Sequence, residues 1–287
     1  MQLDHPRHIL APVDFSQLSQ LALRYAAAFS RCSGAKLTVL HVSSFDVPPY
    51  FTKGQLEQIQ EQLRASQGRA RQDLADFARA ALEAELPEHD LLVIEGRPAE
   101  GILRAASRTG ADLIAMGTHG RSGFNRLMLG SVTERVLREA DVPVLTVRRE
   151  TPAPAEPLQI REILCPVNDT AIARKALAQA AQMARCFGAT LTVLHVHEAK
   201  ADDGIADLCA WVPPEQRAQC RIRELERSGE ASREIIGQAA DSGCDLLVIG
   251  AQHRRFFDTT VVGSTSVRVV RHAPCPVLTV VAREDNR

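Results

Sequence analysis

Short apolar runs alternate along the chain with stretches whose apolar residues recur at helical spacing. An apolar run at residues 9–13 is followed by Leu18, Leu21, Tyr25 and Phe29, which lie on one face of a helix. The first half predicts further strands at 37–42, 91–95, 113–117 and 144–147, and further helices at 55–86, 98–108 and 131–139. Gly34 and Gly110 follow predicted helices, where glycine is a common stop. This alternation indicates βαβ units and a parallel sheet covered by helices on both faces.

The pattern of the first half returns in the second half residue by residue. Residues 7–14 (RHILAPVD) match 161–168 (REILCPVN), and residues 34–42 match 188–196, both at an offset of 154. Two later segments, 111–117 and 143–147, match 244–250 and 276–280 at an offset of 133. The difference between 154 and 133 means that the second copy lacks 21 residues between its second and fourth strands. The chain therefore contains two copies of one repeated unit.

A proline-rich segment separates the two copies. Residues 150–157 read ETPAPAEP, and three alternating prolines favour an extended, semi-rigid linker. The predicted domains are residues 1–150 and 158–287.

Composition narrows the range of partners. The chain has 287 residues, with 34 Lys plus Arg against 35 Asp plus Glu, a net charge of −1 that gives no electrostatic case for nucleic acid or an anionic membrane. No apolar run is long enough to span a bilayer, and the start, MQLDH, does not resemble a secretion signal. Seven cysteines without a CxxC pair predict free thiols in a reducing cytoplasm.

The stretch after the fourth predicted strand carries the clearest chemistry. Residues 117–131 read GTHGRSGFNRLMLGS and lead from a strand into a helix. Glycines there allow positive φ angles and close approach of a ligand to the backbone. The helix start at Gly130 and Ser131 favours a phosphate, and Arg121 and Arg126 offer counter-charge. A mobile glycine loop with an ordinary Ser131 cap explains the same residues equally well.

The spacing Gly117-x2-Gly120-x9-Gly130-Ser131 resembles the nucleotide-binding motif of the universal stress protein family. Three further segments of the first copy are similar to that family: PVD at 12–14, HV at 41–42 and VPV at 142–144. The resemblance extends over both copies.

The resemblance implies a fold for each copy. It is a doubly wound α/β domain with a five-stranded parallel sheet in the order 3-2-1-4-5 and helices on both faces. The fifth strands, 144–147 and 277–280, are the expected pairing edges, which would make the chain an intramolecular pseudo-dimer. The sequence leaves open whether whole chains associate further as a homodimer.

The resemblance also implies an ATP site in the first copy, with Mg²⁺ as a possible companion. Asp14 would lie near the adenosine and the Val42 backbone would face the adenine, while Met116 and Gly117 would line the ribose. The expected nucleotide-binding residues are Pro12, Val13, Asp14, Val42, Met116, Gly117, Gly120, Arg121, Gly130, Ser131 and Val132. Two alternatives remain open: Asp14 as an N-terminal helix cap, and Met116 as an ordinary core residue.

The second copy departs from the motif. Asn168 replaces the aspartate and His253 replaces the second glycine, although Gly263 and Ser264 keep their distance from it. If that position requires a positive φ, histidine adopts it at a cost, and its side chain crowds the phosphates. We therefore expect the second copy to bind ATP much more weakly than the first, or not at all.

Other candidate residues give weaker evidence for a functional site. His195 and His197 point to one side of a predicted strand and, with Cys209 and Cys220, suggest a zinc site. His195 repeats His41, however, which favours a position set by the fold, and we predict no metal site of protein ligands.

Four more side chains have simple interpretations. Cys165 and Cys244 stand where the first copy has alanine, which predicts small core residues. His119 either touches phosphate or is exposed, and Trp211 is expected to cover a hydrophobic edge.

The sequence thus predicts a cytoplasmic, nucleotide-responsive stress-response module with an unknown protein partner. The alternative hypothesis is that the protein is an enzyme, a slow ATPase or phosphotransferase, although the chain lacks a P-loop GxxxxGK[ST] and the set of kinase motifs. A paired scaffold without nucleotide is the third possibility. No catalytic residue is predicted.

Overall fold

The computed structural model describes residues 6–43, 53–84, 86, 90–120, 129–148, 158–198, 208–212, 214–251 and 265–281. The first half contains β1 (His8–Val13), α1 (Gln17–Ser33), β2 (Lys36–Ser43), α2 (Lys53–Leu82), β3 (Leu91–Glu95), α3 (Pro98–Thr109), β4 (Leu113–Gly117), α4 (Ser131–Glu139) and β5 (Val144–Val147). The second half contains β6 (Glu162–Val167), α5 (Ala171–Phe187), β7 (Thr190–His197), a 3₁₀ turn (Leu208–Trp211), α6 (Pro214–Arg217), β8 (Arg221–Ser228), α7 (Ala231–Asp241), β9 (Leu246–Ala251), α8 (Thr265–His272) and β10 (Val277–Val281). Within these ranges, no helix is both long and apolar enough to cross a membrane.

Helix ends follow local capping chemistry. The Ser16 side chain accepts a hydrogen bond from the Ser19 amide and caps α1, and Thr170 caps α5 in the same way. Both helices end at a glycine in the left-handed region, Gly34 at φ 72° and Gly188 at φ 67°. The predicted stops at Gly34 and Gly110 are confirmed.

The strands form one sheet of ten in the order β3-β2-β1-β4-β5-β10-β9-β6-β7-β8. Each half is therefore a parallel sheet in the predicted 3-2-1-4-5 order, and the fold class is confirmed. The halves meet at β5 and β10, which pair antiparallel with Leu145 opposite Leu278. The Thr146 hydroxyl also donates a hydrogen bond to the Val277 carbonyl at 3.2 Å. The two strands predicted as pairing edges thus join the halves into one sheet.

Two hydrophobic clusters cover the two faces of the sheet. One packs beneath α1, α2 and α5, and the other beneath α3, α4, α7 and α8. Along β1, Ile9 and Ala11 belong to the first cluster and Leu10 to the second, as the alternation of a strand requires. Each cluster contains residues from both halves, so the core is continuous across the junction of β5 and β10.

The 21 residues missing from the second copy correspond to most of α2. Between β7 and β8, the residues that the structure describes form the 3₁₀ turn and α6. Trp211 packs there against the cluster beneath α5, and the Arg174 guanidinium lies 4.5 Å from its ring centre. Trp211 thus covers a hydrophobic edge, as predicted. In the first half α2 ends at Leu82, four residues before the predicted end at 86, because Glu83 takes a left-handed φ of 53°.

An aspartate anchors the start of the first strand in each half. The Asp112 carboxylate accepts hydrogen bonds from the backbone amides of Arg7 and His8 at 2.9–3.0 Å. The Asp245 carboxylate accepts the equivalent bonds from Arg161 and Glu162 at 2.8 and 3.0 Å. Each carboxylate therefore holds the start of a central strand beside its neighbour.

The cysteines differ in part from the prediction. Cys165, Cys244 and Cys275 are buried free thiols, and Cys165 and Cys244 are core residues as expected. Cys32 and Cys186, however, are joined in a disulfide bond between the two halves, so the prediction that all seven are free was wrong. An odd number of cysteines excludes complete pairing, but it says nothing about two residues that only the fold brings together.

We expect Asp112→Ala and Asp245→Ala each to lower the free energy of unfolding by about 1–3 kcal/mol, because each leaves two strand amides without their charged acceptor. Urea unfolding measures the loss. Asp141→Ala, at an exposed aspartate beyond α4, is the control and should change stability by less than about 0.5 kcal/mol. Equal losses in all three variants would contradict the anchoring role.

Candidate functional site

β1 and β4 stop pairing before their carboxyl ends, which is where sheets of this kind have a crevice. The two strands pair only at Ile9 and Leu10, whereas β1 pairs with β2 along its whole length. The His8 carbonyl accepts a bond from the Asp112 amide beside β4, and alternate residues of a parallel strand face the same neighbour. Pro12 therefore faces β4, and it has no N–H with which to continue the ladder. This is also the point where the strand order reverses, the usual place for a ligand in such sheets.

Asp14 follows β1 and faces this crevice. Its Oδ1 atom accepts hydrogen bonds from the Ser16 amide at 3.1 Å and the Ser16 hydroxyl at 2.6 Å. Ser16, rather than Asp14, caps α1. The alternative that Asp14 is the helix cap was therefore wrong: its carboxylate orients the cap instead.

The connection that leaves β4 is held at both ends by hydrogen bonds. The Thr118 amide donates to the Val147 carbonyl at 2.8 Å, and the Gly130 amide donates to the Thr118 carbonyl at 2.8 Å. The buried Thr133 hydroxyl donates to the Gly117 carbonyl at 2.9 Å. These bonds bring the start of α4 back to the end of β4.

A side chain at any of the three glycines of the motif would meet a close neighbour. A methyl group on Gly120 would lie 2.9 Å from Asp14 Oδ2, and one on Gly130 would lie 3.2 Å from the Thr118 carbonyl oxygen. At Gly117 it would lie 2.9 Å from the Leu18 side chain. None of the three has a φ in the left-handed region, so these positions do not use the positive φ that glycine allows. Close approach is what these positions need.

The start of α4 presents backbone amides to the crevice. Gly130 is the N-cap residue and has no side chain with which to satisfy them. The amides of Ser131, Val132 and Thr133 have no acceptor within the helix, and the helix dipole adds positive potential there. Ser131 is the exposed first residue of the helix, so the reading of it as a cap was wrong. This arrangement suits an anion such as a phosphate.

The other predicted residues have varied surroundings. Pro12 and Val13 are buried in β1, and Met116 is 5% exposed within the cluster beneath α3 and α4. Its side chain is therefore a core residue, as the alternative held. Val42 is half-buried, with its side chain against Gly101 of α3.

Two arginines of the glycine loop, Arg121 and Arg126, lie outside the described residues. Of the predicted set, the structure brings Asp14, Gly120 and Gly130 together around the crevice, with Ser131 and Val132 at the start of α4.

Phe15 is a residue of this region that pattern reasoning missed. Its φ is 64°, a left-handed conformation that costs a bulky residue about 1–2 kcal/mol. Its ring lies 4.4 Å from the His41 ring and 5.4 Å from the Phe77 ring. The signal available was its place between a strand end and a helix cap, where the chain must turn sharply.

Two histidines mark equivalent fold positions. His41 Nδ1 donates to the Val13 carbonyl at 2.9 Å, and His195 Nδ1 donates to the Val167 carbonyl at 3.1 Å. The interpretation of His195 as a fold position is confirmed. His119 is half-buried, with Nδ1 3.0 Å from the Thr118 hydroxyl, so it is not simply exposed.

The histidines of β7 have protein partners. The His195 and His197 rings lie 4.6 Å apart, and His197 Nε2 lies 3.3 Å from a Glu226 carboxylate oxygen. The Cys220 thiol donates to the Ala181 carbonyl. Among the residues that the structure describes, no three His, Cys, Asp or Glu side chains are grouped to hold a metal ion; the Cys209 side chain is not among them.

The second half repeats the scaffold with different polar groups. The Ser266 hydroxyl donates to the Gly250 carbonyl at 3.1 Å, as Thr133 does to Gly117. β6 and β9 pair only at Ile163 and Leu164, ahead of Pro166. Asn168, in the place of Asp14, accepts a bond from the Thr170 hydroxyl at 2.7 Å. His253–Arg255, Gly263 and Ser264 lie outside the described residues.

The fold and the crevice define a tandem pair of doubly wound α/β domains. The model of the universal stress protein family matches the chain twice, over residues 5–148 and 159–281. Since these matches span most of the chain, it belongs to the universal stress protein family.

Relatives show both the single and the tandem arrangement. A universal stress protein of Thermus aquaticus is 39% identical over 140 residues, which cover 49% of this chain and 97% of that protein. One of Mycolicibacterium smegmatis is 25% identical over 297 residues and covers 95% of this chain and 96% of its own. A universal stress protein structure from Archaeoglobus fulgidus shares the fold, with a TM-score of 0.71 at 23% identity, covering 99% of this chain and 98% of its own.

We expect Thr133→Val to lower the free energy of unfolding by about 1 kcal/mol, because it removes the hydroxyl that binds the Gly117 carbonyl and leaves the shape of the side chain unchanged. Thr109→Val is the matched control, since its hydroxyl bonds only within α3 and its loss should cost less. Chemical unfolding of both variants tests the role of Thr133 in closing the crevice. A larger loss for Thr109→Val would contradict it.

Proposed function

We propose that this chain is an ATP-binding regulatory module of the stress response, with ATP held in the N-terminal domain. The observation that carries the proposal is the contact at the crevice, where Gly120 lies against the Asp14 carboxylate opposite the uncapped start of α4. Three features of the crevice suit the phosphate chain of a nucleotide: glycine backbone without side chains, the N-terminus of α4, and the reversal of strand order between β1 and β4.

The nucleotide is proposed to lie along the carboxyl ends of β1, β2 and β4. The adenine faces the Val42 backbone, and the ribose lies beside the backbone of Met116 and Gly117. The phosphates extend from Gly120 to the amides of Gly130–Val132, with Arg121 as counter-charge. Pro12 and Val13 form the β1 side of the crevice. We propose 1–150 and 158–287 as the domain limits.

A divalent cation fits this arrangement. The Asp14 carboxylate is negative and lies at Gly120, so a phosphate there is repelled unless a cation lies between them. Mg²⁺ prefers one or two carboxylates together with substrate phosphates as ligands. Asp14 is the residue proposed to hold it, and the ion would neutralise the phosphate charge.

Binding, rather than turnover, is the proposed role. Asp14 Oδ1 is already engaged by Ser16, which leaves this oxygen poorly placed to accept a proton from an attacking water. Nucleotide instead biases the connection between β4 and α4 toward one arrangement, and a protein partner in the cytoplasm reads that surface. Such a shift equals the difference in ATP affinity between the two arrangements.

The second domain is proposed to bind ATP much more weakly. Asn168 lacks the charge of Asp14, so the proposed cation loses its ligand there. In the sequence, His253 replaces the glycine that corresponds to Gly120, so the second copy lacks this part of the motif.

We expect calorimetric titration with ATP to give one site per chain, and Gly120→Ala to weaken its affinity at least tenfold, because the new methyl group displaces the Asp14 carboxylate. Gly237→Ala is the control, because this helical glycine has no heavy atom within 4 Å of the added methyl group. The ATP affinity of this variant should equal that of the wild type. Titration with ADP and AMP ranks the nucleotides. Two equivalent sites, or no binding, would overturn the proposal.

We expect phosphate release from ATP to stay far below ordinary enzyme rates of about 1–1,000 per second. Malachite-green assays of the wild type, Gly120→Ala and Ser131→Ala test this. Turnover within the enzyme range that both variants abolish would assign the site to an ATPase or phosphotransferase.

A further inference from the structure

One cysteine in each half of the chain is bonded to the cysteine at the equivalent position of the other half. Cys32 lies in the last turn of α1 and Cys186 in the last turn of α5, and they are 154 residues apart, which is the offset of the repeat. An approximate two-fold axis relates the two paired domains, and equivalent residues of the domains come together only beside this axis. Their Cα atoms are 5.7 Å apart, within the range that a disulfide spans.

The surroundings of this pair differ from those of the buried thiols. Cys165 and Cys275 are buried, and desolvation raises the pKa of the Cys165 thiol far above its usual range. Such thiols are chemically inert. Cys32 and Cys186 are half-buried, so small molecules reach them more easily.

The two thiols stay adjacent whether or not they are bonded. The halves are also held together by the pairing of β5 with β10, and the Phe29 and Phe187 rings pack 5.4 Å apart beside the cysteines. Tyr25 is buried on the same helix, where desolvation and the nearby Asp245 of the second half raise its pKa. Reduction therefore removes one link among several, and the bond can form again without repacking.

We propose that Cys32 and Cys186 form a reversible redox site that fastens the two domains, with low-molecular-weight disulfides as its oxidant. This proposal is independent of ATP binding. Disulfides in reducing compartments are usually redox-sensing or catalytic, and a half-exposed pair on the symmetry axis suits the sensing role.

The reaction balances as thiol–disulfide exchange. One cysteine thiolate attacks a sulfur of glutathione disulfide, forming a mixed disulfide and releasing one glutathione thiolate. The second cysteine thiolate attacks the protein sulfur of that mixed disulfide, forming the Cys32–Cys186 bond and releasing the second glutathione. Two electrons pass from the protein thiols to glutathione disulfide, and the two protons end on the two glutathione thiols.

The test uses the full chain, reduced with dithiothreitol and then equilibrated with glutathione buffers of increasing disulfide fraction. Free thiols are alkylated, and the protein is examined by intact mass and peptide mapping. We expect two thiols to disappear together, with a Cys32–Cys186 peptide cross-link within a monomeric chain. The oxidised form should melt about 5–10 °C higher, since the cross-link closes a long loop in the unfolded chain.

Three variants separate this site from the other cysteines. Cys32→Ser and Cys186→Ser should each hold one glutathione as a mixed disulfide and lose the redox dependence of the melting temperature. Cys220→Ser is the control, because burial raises the pKa of this half-buried thiol, and it should behave as the wild type. The proposal fails if the pair stays reduced in pure glutathione disulfide, if dithiothreitol does not reduce it in the native chain, or if the cross-link joins two chains.

Discussion

The antiparallel pairing of β5 with β10 is the interaction on which the rest of the molecule depends. Each domain alone ends in an apolar edge strand, whose unpaired backbone groups invite aggregation. Pairing the two edges satisfies both at once and converts two five-stranded sheets into one of ten. It also makes the hydrophobic clusters on both faces continuous between the domains. Because the linker keeps the halves in one chain, their effective concentration is high and the pairing is intramolecular.

A second constraint is local and occurs once in each half. Pro12 and Pro166 lie at the same position of the first strand, and neither can donate the hydrogen bond that would continue the ladder toward the fourth strand. The strands therefore separate at their carboxyl ends. The crevice is a property of the backbone, and the residues around it decide its chemistry: Asp14 and Gly120 in the first half, and Asn168 in the place of Asp14 in the second.

The pseudo-two-fold symmetry gives positions beside its axis a special property. A residue elsewhere in the repeat has a distant counterpart, but a residue beside the axis contacts its own copy. Cys32 and Cys186 are such residues, whereas Phe29 meets Phe187, which is not its equivalent in the repeat. The domain junction thus combines a feature that follows from the repeat with packing that has diverged between the copies.

The sequence by itself determined the repeat, the order of elements and most of their limits. Strands 91–95, 113–117 and 144–147 and the helix 131–139 have the predicted bounds, because apolar periodicity and glycine or proline stops act over a few residues. It also identified the glycine motif after β4 as the candidate site.

Only the tertiary structure decided how those residues are used. It showed that Ser16 rather than Asp14 caps α1, that Gly120 lies against the Asp14 carboxylate without a left-handed φ, and that Phe15 takes a left-handed conformation. It also paired Cys32 with Cys186. These facts depend on contacts between segments that are distant along the chain, such as Asp14 with Gly120, and local pattern carries no information about which distant atoms will meet.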